Sequence, residues 1–180
     1  MERTRPLLVL DLDETLWTSY DVPVMYGAER HFVLRPGLQD FLEQVGAQYT
    51  LAAWTAASRD HAQAGLDAMA HAGIPFTPEF LWDRDRCTYL RLDDGDVVYA
   101  KRLRKLRSRY PLERVLAVDD RPENFRCAYG NFVRVLPFTG SPDDRELPRL
   151  AAYLLAICGV PNFRRLEKRT WRDHPAAQAA

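Results

Sequence analysis

Apolar positions along the chain alternate between two patterns, short unbroken runs and longer stretches at helical spacing, and this alternation predicts an α/β domain. Leu7 to Leu10 is a continuous apolar run that stops at Asp11, as expected of a central strand covered on both faces. Phe32-Val33-Leu34 reads as a short strand-like piece. Arg35-Pro36-Gly37 then opens a helix with Leu38, Phe41, Leu42 and Val45 on one side, Pro36 suiting its first turn. Tyr49 to Trp54 reads as a second buried strand ending at Thr55. Ser58 is placed to cap a helix carrying Ala62, Leu66, Met69 and Ala70, which closes near Gly73-Ile74-Pro75.

Residues 76–100 break the alternation. Tyr89 to Leu92 and Val97 to Tyr99 flank Asp93-Asp94-Gly95-Asp96 and predict a β-hairpin. Leu103 and Leu106 share a face in a short helix over 101–110. Val115 to Val118 is a third buried strand, ending in Asp119-Asp120, and Phe132 to Leu136 a fourth. Ser141 to Asp144 caps a helix through Leu147, Leu150, Leu154 and Leu155, and Pro175 to Ala180 is expected to fray.

Composition narrows the class. With 180 residues, 47% of them hydrophobic, the chain can bury one good core but hardly two. Its formal net charge is zero, so no whole-molecule field draws it to nucleic acid or membrane, and an anion must be recognised by local groups. Cys87, Cys127 and Cys158 lack C-x-x-C pairing, form neither a zinc site nor a disulfide framework, and suit a reducing compartment. No apolar run approaches the ~20 residues that span a bilayer. A cytoplasmic protein without a membrane partner is expected.

The residues with chemical potential gather at predicted strand ends: Asp11 and Asp13 after the first, Thr55 after the second, Asp119 and Asp120 after the third. In an open parallel sheet those ends share one edge, where ligands bind. Several Asp oxygens there suit a hard cation such as Mg²⁺ together with a substrate phosphate.

Asp11-Leu12-Asp13-Glu14-Thr15 resembles the D-x-D-x-T signature of the haloacid dehalogenase superfamily of phosphohydrolases. Arg35-Pro36-Gly37, Trp54-Thr55-Ala56, Tyr99-Ala100-Lys101 and Val118-Asp119-Asp120-Arg121-Pro122 resemble, in order, further stations of one branch. That branch holds the small polymerase-tail (CTD) phosphatases and the NLI-interacting-factor-like phosphatases. The resemblance covers roughly residues 7–155. It implies a Rossmann-like, three-layer α/β domain over 1–160 with a central parallel sheet, followed by a partly ordered tail over 161–180. The intervals between motifs leave room for a short β-hairpin insertion and no large cap.

The resemblance also implies a mechanism. Asp11 attacks phosphorus and forms an aspartyl-phosphate, and Asp13 serves as general acid and base. Thr55 and nearby amides bind the phosphoryl oxygens, and Lys101 stabilises the transferring group. Mg²⁺ is held by Asp11, the Asp13 carbonyl and Asp120, with Asp119 in support. In the polymerase-tail branch the third-strand pair is usually Asp-Asn, and Asp119-Asp120 departs from it, which puts a shared substrate in doubt.

An uncapped site is expected to take a macromolecular phosphoester, either a phosphorylated protein segment or a nucleic-acid end. A small metabolite or nucleotide remains the alternative substrate. A dehalogenase is disfavoured, because it has no need of a proton donor at Asp13. An idle binding module is disfavoured because every station carries a competent residue. The basic run Lys101, Arg102, Arg104, Lys105, Arg107 and Arg109 is read, after Lys101, as a solvated face, with arginines binding a second phosphate or a polyanionic substrate as the alternative. Phe80, Trp82, Tyr89 and Tyr99 are read as packing, with a specificity pocket as the alternative. His31, His61, His71 and His174 lack ligand spacing and are given surface or core roles.

Overall fold

A computed structural model describes residues 5–91 and 95–180. Strands β1 (Leu7–Leu10), β4 (Thr50–Trp54), β5 (Leu81–Trp82), β8 (Val115–Asp119) and β9 (Phe132–Arg134) form one five-stranded parallel sheet, in the order β5-β4-β1-β8-β9. β1 lies at its centre, with Leu7 level with Thr50 on one side and Val115 on the other. The four apolar runs read from the sequence are β1, β4, β8 and β9, buried because both faces are covered, while β5 is not among them.

The two faces are covered differently. Leu8, Leu10, Ala53, Leu116, Val118 and Val133 meet the helices α1 (Leu38–Gly46), α2 (Arg59–His71) and α3 (Glu146–Ile157). Leu7, Val9, Ala52, Trp54, Val115 and Ala117 point the other way, onto Leu103, Leu106 and Phe125, which sit on short 3-10 turns. The helix expected over 101–110 is one of these, a 3-10 turn over Leu103–Leu106. Its two leucines are buried as anticipated. At i and i+3 they satisfy a 3-10 turn as well as an α-helix, so spacing alone did not separate the two.

Two antiparallel hairpins stand off the sheet. β2 (Trp17–Val24) pairs along its whole length with β3 (Gly27–Leu34), so Phe32 to Leu34 is the end of an eight-residue strand. β6 (Thr88–Arg91) pairs with β7 (Val97–Ala100) as the expected insertion, while most of its turn, residues 92–94, lies outside the described residues. No large cap follows either motif among the described residues. Pro36 precedes α1; the helix is entered through Gly37, whose φ of 75° is left-handed and disfavours any residue with a side chain.

The C-terminus corrects an expectation. Pro175–Gln178 forms a short helix α4 packed on α3, and Ala177 is buried with Phe163 and Trp171 in the main core. Arg149 ties the segment down through the carbonyls of Ala177 and Arg172. Pro-Ala-Ala-Gln has no apolar period of its own, so its order is tertiary in origin. No helix among the described residues is long and apolar enough to cross a membrane.

Candidate active site

Asp11 extends directly from β1, its N–H donating to the Val118 carbonyl of β8, so the position of its carboxylate is set by the sheet. The chain then turns tightly. Leu16 N–H donates to Leu12, Glu14 N–H to Trp17, and Glu14 takes a φ of 58°, the only positive φ of a non-glycine among the described residues. Such backbone costs on the order of 1–3 kcal/mol and persists only where the surroundings dictate it. Here a clamp does so. Arg35, 1% exposed, donates to the Thr15 and Leu136 carbonyls at 3.1 and 2.9 Å. Its guanidinium also grips both oxygens of Asp144 at 2.8 and 2.9 Å, which draws Asp144 below its usual range against the opposing effect of burial. Asp144 in turn accepts from the Glu146 N–H at the start of α3. The motif arginine thus fastens the turn after Asp13 to the far side of the fold.

Lys101, at the end of β7, is buried with its ammonium 2.5 Å from Asp11 Oδ1 and 2.5 Å from Asp119 Oδ2. Asp119 is also held by the Arg121 N–H at 2.8 Å and by the Asn124 amide at 3.1 and 3.2 Å. It is fully buried and faces Lys101. Asp120, the next residue, turns the other way and lines the open cleft with Asp11 and Asp13.

One ammonium balances three buried carboxylates only in part. Asp11 is raised well above the usual carboxylate range by burial and then by the charge of Asp119, with Lys101 opposing. Asp120 is pushed up to about 7 by burial, with Asp119 and Glu14 adding to it. Burial alone would lower the Lys101 ammonium, but Asp11 and Asp119 raise it above its ordinary value. Oxygens of Asp11, Asp119 and Asp120 lie within 4.8 Å of one another, a spacing suited to a metal ion. The Asp13 carboxylate stands apart from that cluster. Its Oδ1 meets Trp17 Nε1 at 3.1 Å and His61 Nε2 at 2.5 Å, and its Oδ2 meets the Thr55 hydroxyl at 3.4 Å.

Thr55 leaves β4, and its Oγ1 accepts from the Ala57 N–H at 3.0 Å in the approach to α2. Ser58 caps that helix, accepting from the His61 N–H at 3.3 Å. The positive end of a 13-residue helix is thereby turned to the cleft, whose wall includes Ala56, Ala57 and Ser58. Trp17, fully buried, lies so close to α2 that a Cβ on Gly65 would stand 2.3 Å from its ring.

The six residues singled out in the sequence, Asp11, Asp13, Thr55, Lys101, Asp119 and Asp120, therefore meet at one edge of the sheet. The cleft above them measures about 460 Å³ and opens between the β2–β3 hairpin, α2 and β7. Its cations are Arg30, Arg84 and Arg121, and no residue of 102–109 lines it. Tyr99 lines the cleft with Arg84 stacked on its ring, whereas Phe80 and Trp82 pack with Trp54 beneath the sheet. His61, given no site role from its spacing, lines the cleft and touches Asp13. Its place at the first turn after Thr55-Ala56-Ala57-Ser58 is the one sequence signal that could have pointed to it.

The sequence matches the family model of NLI interacting factor-like phosphatases over residues 6–164. It is 25% identical over 177 residues to the ubiquitin-like domain-containing CTD phosphatase 1 of Danio rerio, covering 93% of this chain and 54% of that protein. The protein of the same name from Drosophila melanogaster is 27% identical over 181 residues, covering 95% and 55%. The chain thus spans about half the length of these curated relatives. Among solved structures it resembles Fcp1, described as an essential RNA polymerase II CTD phosphatase, with a TM-score of 0.56 and 22% identity over 79% of this chain and 44% of that one. A variant of fission yeast Fcp1 bound to beryllium fluoride gives a TM-score of 0.54 and 20% identity over 97% and 54%. These two likenesses are of fold.

Proposed function

The chain belongs to the NLI interacting factor-like phosphatase family, and from that membership as a phosphatase we propose that it hydrolyses phosphomonoesters through an aspartyl-phosphate on Asp11. The observation that carries this reading is the Lys101 ammonium seated between Asp11 and Asp119 under an open cleft, with Asp13 two residues on.

In the first half of the reaction an Asp11 oxygen bonds to phosphorus in line with the departing ester oxygen. Asp13 gives that oxygen its proton as the P–O bond breaks. In the second half Asp13 takes a proton from water, which attacks phosphorus and frees Asp11. A positioned acid–base of this kind contributes about 10²–10⁴-fold. Lys101 holds Asp11 in place and offsets charge on the transferring group, and Asp119 holds Lys101. Thr55 and the amides at the start of α2 receive the phosphoryl oxygens.

The unbalanced carboxylate charge fits a divalent cation. Asp11, Asp120 and the Asp13 carbonyl would hold Mg²⁺, with Asp119 behind them. When bound, Mg²⁺ supplies the positive charge that lets an anionic carboxylate approach a phosphate dianion.

For substrate we favour a phosphorylated protein segment. Among the described residues the cleft has no cap; it is rimmed by Arg30, Arg84 and Arg121 and lies between two hairpins with exposed Tyr20 and Tyr89. Such a site leaves the substrate's own chain to exclude water, and the relatives carry the name CTD phosphatase. The three free cysteines fit the reducing conditions of a cytoplasmic location.

The test is phosphate release from 4-nitrophenyl phosphate with Mg²⁺ or with EDTA. Turnover should require Mg²⁺ and fall by about 10⁴-fold or more in Asp11→Asn, as when other covalent nucleophiles are removed. Turnover that survives in Asp11→Asn would refute the covalent route.

A further inference from the structure

His61 is the one histidine that reaches the cleft, and both of its ring nitrogens are engaged. Nε2 lies 2.5 Å from Asp13 Oδ1, and Nδ1 lies 2.8 Å from Arg30 Nη1. A guanidinium can only donate, so Nδ1 must accept, and a ring that accepts at Nδ1 carries its proton on Nε2. The donor therefore points at Asp13.

Arg30 is not free to wander from this arrangement. Its guanidinium grips both oxygens of Asp21, its direct cross-strand partner in the β2–β3 hairpin, at 2.7 and 2.8 Å. The ring is also packed by Phe32 of the same hairpin, with centroids 5.4 Å apart, and its side chain is 13% exposed. From the other side Trp17 Nε1 donates to the same Asp13 oxygen at 3.1 Å. One carboxylate oxygen thus receives two N–H donors, one from a fully buried indole and one from a largely buried imidazole. The other, Oδ2, meets only the adaptable Thr55 hydroxyl among these contacts.

We propose that His61 is a positioning residue for Asp13, fixing Oδ1 as a standing acceptor so that Oδ2 is the oxygen that carries and delivers the proton. This rests on the acid–base role of Asp13 given above. An oxygen already accepting two N–H bonds has no room for a proton of its own, so the carboxyl group is held in a single sense. As the ester P–O bond breaks, its electron pair returns to the leaving oxygen, which takes the proton from Oδ2. The proton lost by the attacking water later restores it. Without His61 the carboxyl can rotate about its χ2 and the donating oxygen loses its fixed place, which removes part of the orientation that such catalysis depends on.

The contribution of a proton donor grows with the basicity of the leaving group, and this gives the test. The enzyme, with Mg²⁺, is assayed on a series of aryl phosphates from 4-nitrophenyl to phenyl, as wild type, His61→Ala, His61→Asn, His61→Gln and Asp13→Asn. His61→Ala should lower kcat about 10- to 30-fold on phenyl phosphate but less than about 3-fold on 4-nitrophenyl phosphate, with KM unchanged. Gln can place an amide N–H where Nε2 stood and should recover kcat to within about 3-fold of wild type. Asn reaches only the place of Nδ1 and should behave as Ala does, so the Asn and Gln pair decides the matter even if the Ala variant folds poorly. Equal losses along the series, or a Gln variant no better than Asn, would overturn the proposal. If Asp13→Asn shows a loss that steepens with leaving-group basicity and the His61 variants do not, the role of His61 alone fails. If Asp13→Asn shows no such steepening, the acid–base role of Asp13 fails and the proposal falls with it.

Discussion

Among the described residues two lysines are buried, in regions with different surroundings. Lys101 lies beneath the cleft, and its ammonium faces two carboxylates. Lys168 lies in the C-terminal segment, 4% exposed, and its ammonium caps the carbonyls of Phe163 and Leu166 at 2.6 and 2.8 Å. Burial lowers Lys168 from its ordinary value, outweighing the opposing charge of Glu167. At Lys101 the same penalty is outweighed by Asp11 and Asp119. Burying a cation against carbonyls fastens a loop; burying one among surplus carboxylates leaves a net negative site suited to a metal ion. Both are buried; what differs is the partner, carboxylates at Lys101 and carbonyls at Lys168.

The largest test of that contrast is Lys101→Met. It should cut kcat by about 10²–10³-fold, in the range found on removing one group that stabilises transition-state charge. Leaving Asp11 and Asp119 face to face should also cost about 3–5 kcal/mol of stability, measured by urea unfolding in EDTA. If activity survives, the charge at Lys101 is structural after all and the contrast collapses.

A smaller effect is readable in pH. Asp120 rises from 3.8 to about 7 on folding, so between those values the folded chain binds more protons than the unfolded one. The Asp120 contribution to the stability of the metal-free protein should therefore fall as pH rises from about 4 to about 7 and level off above. Asp11, raised likewise, adds in the same direction. Mg²⁺ favours the ionised carboxylates, so its stabilising effect should be full above pH 7 and fade below. Thermal unfolding across this range, with EDTA and with Mg²⁺, checks both signs. Asp120→Asn should flatten the EDTA curve.

The smallest effect is expected at Lys168→Met. Two hydrogen bonds to carbonyls are lost, and stability should fall by about 1–2 kcal/mol with kcat unchanged, as read by parallel unfolding and turnover measurements. A fall in kcat would tie the C-terminal segment to the chemistry and blur the comparison.

The same contrast explains what could be read from the sequence. β1, β4 and β8 announce themselves because strands covered on both faces must be apolar throughout, and the candidate site residues stand where those runs stop. The two-residue β5 is too short to show a period. The β2–β3 hairpin is exposed along most of its length, and only its base, where Trp17, Phe32 and Leu34 pack into the core, is covered. The segment after residue 160 is ordered by contacts with α3 and the core rather than by local pattern. His61 is hidden for a related reason: its contact with Asp13 spans 48 positions, and neither residue's neighbours reveal it. Asp119 and Asp120 were legible as a pair. Their division, one turned inward to Lys101 and one outward to the cleft, comes from opposite orientations at a strand end and is a property of the fold.

The close approach of Gly65 to Trp17 couples two stretches of sequence that are far apart along the chain. The indole that donates to Asp13 occupies the space where any side chain at position 65 would have to go. The composition of α2 and the width of the residue after the D-x-D-x-T turn are therefore not independent variables. A lineage that exchanged Trp17 for something smaller could afterwards fill position 65, and would then find the return to tryptophan barred.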